Sequence, residues 1–152
     1  MAKDSGSGSR HVRDVMTPNP QCATEKDSLM EVARIMRDQD TGAVPVVDDN
    51  NKIIGMVTDR DIVVRCIADG KNPSEARVND VMTKSVRKVQ EDATINDVLG
   101  MMKGSEIRRV PVVDRNDKIV GIVSIGDIAS GGDNRGKVGD AMEDISQAAP
   151  NN

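Results

Sequence analysis

The chain has no phenylalanine, tryptophan or tyrosine among its 152 residues. Its core must therefore be built from Val, Ile, Leu, Met and Ala, with Met filling irregular gaps. Any flat ring bound here lies between aliphatic side chains, because no aromatic face is available for stacking. Histidine is nearly as scarce: His11 stands alone in a polar leader, which all but excludes a zinc site or a His-based triad. The two cysteines, Cys22 and Cys66, sit in no Cys-x-x-Cys or His-rich setting and read as free thiols of a reducing compartment. No apolar run approaches the roughly 20 residues that span a bilayer, and no apolar stretch follows Met1. A cytoplasmic protein without membrane attachment is the expectation. Charge of one sign is also missing in excess. With 21 Lys and Arg against 25 Asp and Glu, the net charge of −4 offers no basic field for a phosphate backbone, so nucleic acid is a disfavoured partner.

What the chain does contain is one unit written twice. Val12-Arg-Asp-Val-Met-Thr17 recurs as Val78-Asn-Asp-Val-Met-Thr83, and Val44-Pro-Val-Val-Asp48 recurs as Val110-Pro-Val-Val-Asp114, both 66 positions later. At the same offset Ile53-Ile-Gly-Met-Val-Thr-Asp-Arg-Asp-Ile62 matches Ile119-Val-Gly-Ile-Val-Ser-Ile-Gly-Asp-Ile128. No gap is needed from position 12 to 62, and about twenty of the 51 pairs are identical. Chance similarity does not hold register that long.

Each copy reads as strand, helix, strand, strand, helix, an α/β pattern. Ser28 with Glu31 three residues on is a capping box, and Leu29, Val32, Ala33 and Met36 then recur at i, i+3, i+4 and i+7, one apolar helical face. Thr94 with Asp97, followed by Ile95, Val98, Leu99 and Met102, repeats it. Ala43–Val47 and Ile53–Val57 are β-branched runs joined by the polar Asp48-Asp-Asn-Asn51, which predicts a hairpin. The second hairpin turns through Asp114-Arg-Asn-Asp117. Pro45 and Pro111 cannot donate to a sheet ladder, which predicts an edge or a bulge for each. A helix should follow each hairpin, from Thr58-Asp59 and from Ser124-Ile125; the first carries Ile62, Val63, Cys66 and Ile67 and stops near Gly70. The expected organisation is a disordered Gly/Ser-rich leader over 1–10, copies over 11–70 and 78–132, a linker over 71–77, and a tail over 133–152. In that tail Val138, Met142 and Ile145 hint at a short helix. A copy of about 50 residues struggles to enclose a core alone, so the two should share one.

Asp-Val-Met-Thr, an amphipathic helix, Val-Pro-Val-Val-Asp and Gly-x-Val-Thr/Ser-x-x-Asp-Ile, in that order and twice over, resemble the pattern of cystathionine β-synthase (CBS) domains. A tandem pair of these is a pseudo-two-fold Bateman module. The resemblance covers about residues 12–130. Met56-Val-Thr-Asp-Arg-Asp-Ile-Val63 with Cys66-Ile-Ala-Asp-Gly70 further resembles small bacterial proteins of the hypoxic-response type, which consist only of a CBS pair. The family implies two quasi-symmetric clefts between the repeats and a disc-shaped homodimer. It also implies adenosine ligands of the AMP, ADP, ATP, NAD(H) or S-adenosylmethionine class as regulators, with no cofactor required.

The site chemistry follows from the Gly-x-x-Thr/Ser-x-x-Asp ending of each hairpin. Thr58 and Asp61 lie three apart on one helical turn and so share a side; Ser124 and Asp127 repeat the arrangement. A carboxylate there can accept hydrogen bonds from both ribose hydroxyls, at about 1.5–3 kcal/mol each for a charged acceptor. The hydroxyl beside it can meet ribose or phosphate, and N–H groups of the helix start favour an anion. Phosphate also needs positive charge, for which Arg60, Arg108 and Arg109 are the candidates. Adenine would rest near Val44-Pro45 and Val110-Pro111, with Pro18 and Lys84 closing the cleft. The same residues admit plainer roles: Thr58 and Ser124 as N-caps, Asp61 and Asp127 as partners of the helix dipole, the arginines as solvated surface and the valines as core. The copies are unequal, since Gly42 and Ala43 stand where the second has Arg108 and Arg109, and Gly126 stands where the first has Arg60. One site should therefore be well supplied for phosphate and the other poorly.

The leading expectation is a nucleotide sensor that acts on a downstream protein partner through a ligand-dependent conformational change. A structural dimerisation module with vestigial sites is the alternative. An enzyme such as a nucleotide hydrolase is disfavoured, because there is no Gly-x-x-x-x-Gly-Lys-Ser/Thr loop, no histidine base and no obvious metal cluster.

Overall fold

The Val-x-Asp-Val-Met-Thr segment that leads each copy (its leader motif, residues 12–17 and 78–83), the amphipathic stripe and the hairpin of each copy all become structure, and the two copies do so in the same register. In the computed structural model, which describes residues 10–105 and 107–131, a 3₁₀ turn at Val12–Asp14 leads into β1 (Thr17–Pro18), α1 (Leu29–Gln39), β2 (Ala43–Val47), β3 (Ile53–Thr58) and α2 (Asp59–Ile62). A π-helical turn at Val63–Ile67 extends α2; α3 (Val78–Val81), β4 (Val89–Gln90), α4 (Ile95–Ser105), β5 (Arg109–Val113), β6 (Ile119–Ser124) and α5 (Ile125–Gly131) follow. The expectations for the leader up to Ser9 and for the tail with Val138, Met142 and Ile145 lie outside the described residues.

Local chemistry sets the helix starts. Ser28 accepts the Glu31 N–H at 3.1 Å while Glu31 accepts the Ser28 N–H at 2.9 Å. That backbone donor, followed by the Ser28 hydroxyl, holds the Glu31 carboxyl below its usual range. Thr94 and Asp97 form the same reciprocal pair at 3.1 and 3.3 Å. The leader motif also caps itself: Asp14 accepts from the His11 N–H and Asp80 from the Arg77 N–H, at 3.1 and 3.0 Å. Such caps are worth about 1 kcal/mol each.

The compact units do not follow the order of the copies. One contains residues 20–86 with 116–119; the other, among the described residues, contains 10–19, 87–105, 107–115 and 120–131. Each leader thus packs with the hairpin of the opposite copy. In the first-hairpin unit Thr83 exchanges both backbone hydrogen bonds with Met56, at 2.9 and 3.0 Å. In the second-hairpin unit Thr17 pairs with Ile122 and Pro18 with Gly121. Close approach requires glycine at both places. A Cβ on Gly55 would fall 2.9 Å from Met82 Sδ and 3.0 Å from the Thr83 carbonyl, and one on Gly121 would collide with Met16 Sδ and meet the Thr17 carbonyl at 3.0 Å. Each unit has its own aliphatic cluster, so the one shared core expected of the two copies is corrected to two cores, each drawing residues from both copies. Val12, Ile95, Val98, Met102, Val110, Val123 and Ile128 anchor one, and Leu29, Val32, Val44, Val57, Cys66 and Val78 the other.

One proline expectation needs correction. The sheet order is β1-β6-β5-β4, so β5 with Pro111 is flanked on both sides and is no edge. Pro45 fits the expectation, since β2 belongs to a two-stranded sheet with β3, has an irregularity at Val46/Val47 and gains only a single bridge to Ala23 on its other side. The proline is tolerated because the flanking strand is short. β4 registers only with Val112 and Val113, and Ala23 is a single-residue bridge to Val46, beside the irregularity at Val46/Val47. The helix after the first hairpin starts and stops where expected, but it changes pitch. Its Val63–Ile67 turn is π-helical, closed by the Ala68 N–H on the Val63 carbonyl at 2.8 Å. The wider turn buries Ile62 and Cys66 but leaves Val63, Val64 and Ile67 at 57, 44 and 52% exposure. Both cysteines are free, and burial pushes the Cys22 thiol up to about 11. No described helix is long and apolar enough to cross a membrane.

Candidate functional site

Thr58 closes β3 and caps α2; Ser124 closes β6 and caps α5. The strand-to-helix switch is held by a reciprocal pair at each place. The Thr58 N–H donates to Asp61 Oδ2 at 2.9 Å and the Asp61 N–H to Thr58 Oγ1 at 3.1 Å. The Ser124 N–H donates to Asp127 Oδ2 at 2.9 Å and the Asp127 N–H to Ser124 Oγ at 3.0 Å. The capping role weighed for these residues is therefore realised, and it consumes only part of each side chain. Both hydroxyls keep their proton as a donor. Oδ1 of Asp127 takes no hydrogen bond among the described residues, and Oδ1 of Asp61 faces Arg65 Nε at 4.0 Å. All four side chains are half-buried, so one acid oxygen at each site remains to accept from a hydroxyl pair.

The crossing leaders decide which predicted residues meet. Val44, Pro45, Thr58, Arg60, Asp61 and Lys84 fall in the first-hairpin unit; Pro18, Arg108, Arg109, Val110, Pro111, Ser124 and Asp127 fall in the second. Lys84 follows Thr83, which is bridged to β3, and Pro18 pairs on β6, so each covering residue belongs to the opposite copy's leader. Arg60, Lys84, Pro18, Arg108 and Arg109 are exposed. Val44 and Val110 need correction as cleft walls: both are fully buried members of the core clusters. Pro45 and Pro111 are buried as well, although strand alternation directs them to the opposite face from these valines. Pro45 shares that face with its partner Met56 and with Thr58 two residues further on.

The helix starts differ in what they leave for an anion. In α2 the Asp59 N–H donates to the Gly42 carbonyl at 3.0 Å, the Arg60 N–H to Asp59 Oδ1 at 2.9 Å, and the Asp61 N–H to Thr58. Its first turn is closed, which corrects the expectation of a free anion cradle there. Asp59 moreover lies against Gly42, where a Cβ would sit 3.0 Å from its Oδ2. In α5 the Ile125 N–H donates to the Arg108 carbonyl at 3.1 Å and the Asp127 N–H to Ser124, while the Gly126 N–H has no partner among the described residues. Ile125 replaces the acid, and its side chain is buried. Asp59, Arg60 and closed amides mark one site; Arg108, Arg109 and an amide without a partner among the described residues mark the other.

Sequence reasoning missed Arg65. Its Nη1 donates to the Val81 carbonyl at 3.1 Å while its Nε faces Asp61. The i, i+4 spacing from Asp61 was the available signal; Val81 could not be foreseen, because it belongs to the crossing leader.

The described residues, taken in chain order, match the CBS domain profile over residues 12–67 and again over 78–131. The chain belongs to the CBS-domain family. It is 40% identical over 137 residues to YlbB of Bacillus subtilis, covering 90% of this chain and 91% of that one. It is 38% identical over 117 residues to Hypoxic response protein 1 of Mycobacterium tuberculosis, covering 77 and 81%. Solved structures are similar as well. Hypoxic Response Protein I with two coordinated zinc ions gives a TM-score of 0.73 at 36% identity, covering 79% of this chain and 97% of that one. CBSX2 in complex with AMP, a protein of Arabidopsis thaliana, gives 0.69 at 26%, covering 80 and 94%. The CBS domain pair of MJ0100 with 5-methylthioadenosine and S-adenosyl-L-methionine gives 0.68 at 30%, covering 79 and 93%. Among the described residues of this CBS pair, no group of three or more His, Cys, Asp or Glu could hold a metal ion.

Proposed function

We propose that this CBS pair is a regulatory module whose second-hairpin unit binds an adenosine nucleotide. Asp127 Oδ1 accepts from the ribose hydroxyls, Ser124 donates its hydroxyl proton, and Arg108 and Arg109 take the phosphate. The observation that carries the reading is the half-used carboxylate of Asp127, with Oδ2 committed to the cap and Oδ1 taking no hydrogen bond among the described residues, in the unit that also holds the exposed Arg108 and Arg109. The AMP complex of CBSX2 and the S-adenosylmethionine complex of MJ0100 support the ligand class. The first-hairpin unit offers a ribose-binding acid, Asp61, but has Gly42 and Ala43 where the other unit has Arg108 and Arg109, with Asp59 lying against Gly42. It is the weaker site for a nucleotide and suits a nucleoside without phosphate. Binding at these sites passes to a downstream protein through a shift between conformations, and no chemical step is assigned to the module. The active assembly is a homodimer, supported by the exposed Val63, Val64 and Ile67.

Calorimetric titration with AMP, ATP, NADH and S-adenosylmethionine tests the reading. AMP should bind with micromolar affinity, roughly −8 kcal/mol. Asp127→Asn keeps an acceptor for the cap but loses the charge, and should weaken AMP by about tenfold or more. Removing both Arg108 and Arg109 should cost AMP more than adenosine. Absence of heat with every ligand, with the melting temperature unmoved, would instead favour a dimerisation module with vestigial sites.

A further inference from the structure

Arg65 joins two things the sequence keeps apart. Its Nε stands 4.0 Å from Oδ1 of Asp61, the oxygen that the capping box leaves unused. Its Nη1 donates at 3.1 Å to the carbonyl of Val81. Val81 ends α3 and runs directly into Met82 and Thr83, whose backbone is bridged to Met56 of β3. One guanidinium therefore spans from the acid of the first-hairpin site to the leader of the second copy. Asp61 is mostly covered, with 15% side-chain exposure, whereas Arg65 remains 55% exposed. The fork geometry suits the task, since guanidinium nitrogens can address two partners at once and an ammonium acts as a single point charge. The second copy has no such device, because the position equivalent to Arg65 is Gly131.

We infer that Arg65 is a positioning residue: it sets Asp61 Oδ1 for a ribose and ties that carboxylate to the crossing leader at Val81, making the Asp61 site the one whose occupancy is transmitted to the second copy. This rests on the reading of Asp61 as a ribose acceptor. When ribose hydroxyls engage Oδ1, the carboxylate is fixed and Arg65 with it. The Val81 carbonyl, and the Thr83 amide that donates to Met56 at 2.9 Å, are then held more firmly. The Asp127 site carries its ligand without this tie.

The test uses the full chain in an Asp127→Asn background, which weakens the other site by about tenfold so that the Asp61 site dominates, with adenosine and 2′-deoxyadenosine as probes. Two quantities are read: the ratio of the two affinities, and the hydrogen-exchange rate of the Thr83 amide with and without adenosine. With Arg65 present, adenosine should be preferred by about tenfold, and its binding should slow Thr83 exchange by a similar factor. Arg65→Met keeps the aliphatic stem and should cut the preference by about fivefold and abolish the added protection. Arg65→Lys should restore part of the preference but not the protection. A merely structural Arg65 would lower basal protection and leave the preference intact. Adenosine bound with unchanged preference and unchanged added protection in Arg65→Met would overturn the role of Arg65 alone; no adenosine binding before Arg65 is touched would overturn the Asp61 reading with it.

Discussion

Single atoms decide what the family motif means in this chain. In Gly-x-Val-Thr/Ser-x-x-Asp the glycine admits the crossing leader, the hydroxyl and acid build the cap, and the second acid oxygen stays outside the cap. Gly121→Ala should therefore destabilise by about 1–3 kcal/mol through overpacking against Met16 and the Thr17 carbonyl, read as a lowered urea midpoint. Gly126→Ala is the control: its Cβ would meet only Ser124 Oγ, at an ordinary 3.6 Å, and stability should stay within about 0.5 kcal/mol. Equal losses from both substitutions would refute the packing role. The Thr58–Asp61 and Ser124–Asp127 pairs were legible in the sequence, because three-residue spacing at a helix start has a local meaning. The role of Gly121 was not, since the atoms it admits lie about a hundred positions earlier in the chain.

At the scale of elements, whatever local pattern dictates came through in register. Capping boxes fixed the starts of α1 and α4, apolar stripes fixed their buried faces, and polar turns fixed both hairpins. What pattern alone could not show was a change of helical pitch. Val63 and Ile67 belong to the same apolar run as Ile62 and Cys66, yet only the latter two are buried, and the Val63–Ile67 turn is π-helical. Three exposed aliphatic side chains on one turn are the support for association of two copies. Sedimentation should accordingly show a dimer, and Ile67→Glu should raise its dissociation constant by about 100-fold, the scale of losing one or two buried aliphatic side chains and gaining a charge. An unaltered dimer in Ile67→Glu would place the contact elsewhere. The unequal prolines carry a related lesson: a missing donor costs little where the neighbouring strand is one or two residues long, and strand length beside Pro45 and Pro111 is not written near either residue.

For the molecule as a whole, duplication followed by divergence has produced two units with the same frame and different electrostatics. The inequality was visible as Gly42 and Ala43 against Arg108 and Arg109. Its sharper form, three occupied amides and Asp59 at one site against an open Gly126 amide at the other, needed coordinates. The exchange of leaders was equally hidden, because a repeat read from sequence groups neighbours in the chain, whereas Thr17 pairs with β6 and Thr83 with β3. A ligand that favours one conformation of such a frame can shift it only by its difference in affinity between the two states, so unequal sites make the response depend on which ligand is present. The central claim is that an adenosine nucleotide sits on Asp127 with its phosphate on Arg108 and Arg109. The most direct measurement is an amide chemical-shift map of the ¹⁵N-labelled protein titrated with AMP. The largest changes should fall at Ser124, Gly126, Asp127, Arg108 and Arg109, and Asp127→Asn should move them to about tenfold higher AMP. Saturable changes confined to other parts of the chain, or a response indifferent to Asp127→Asn, would contradict it.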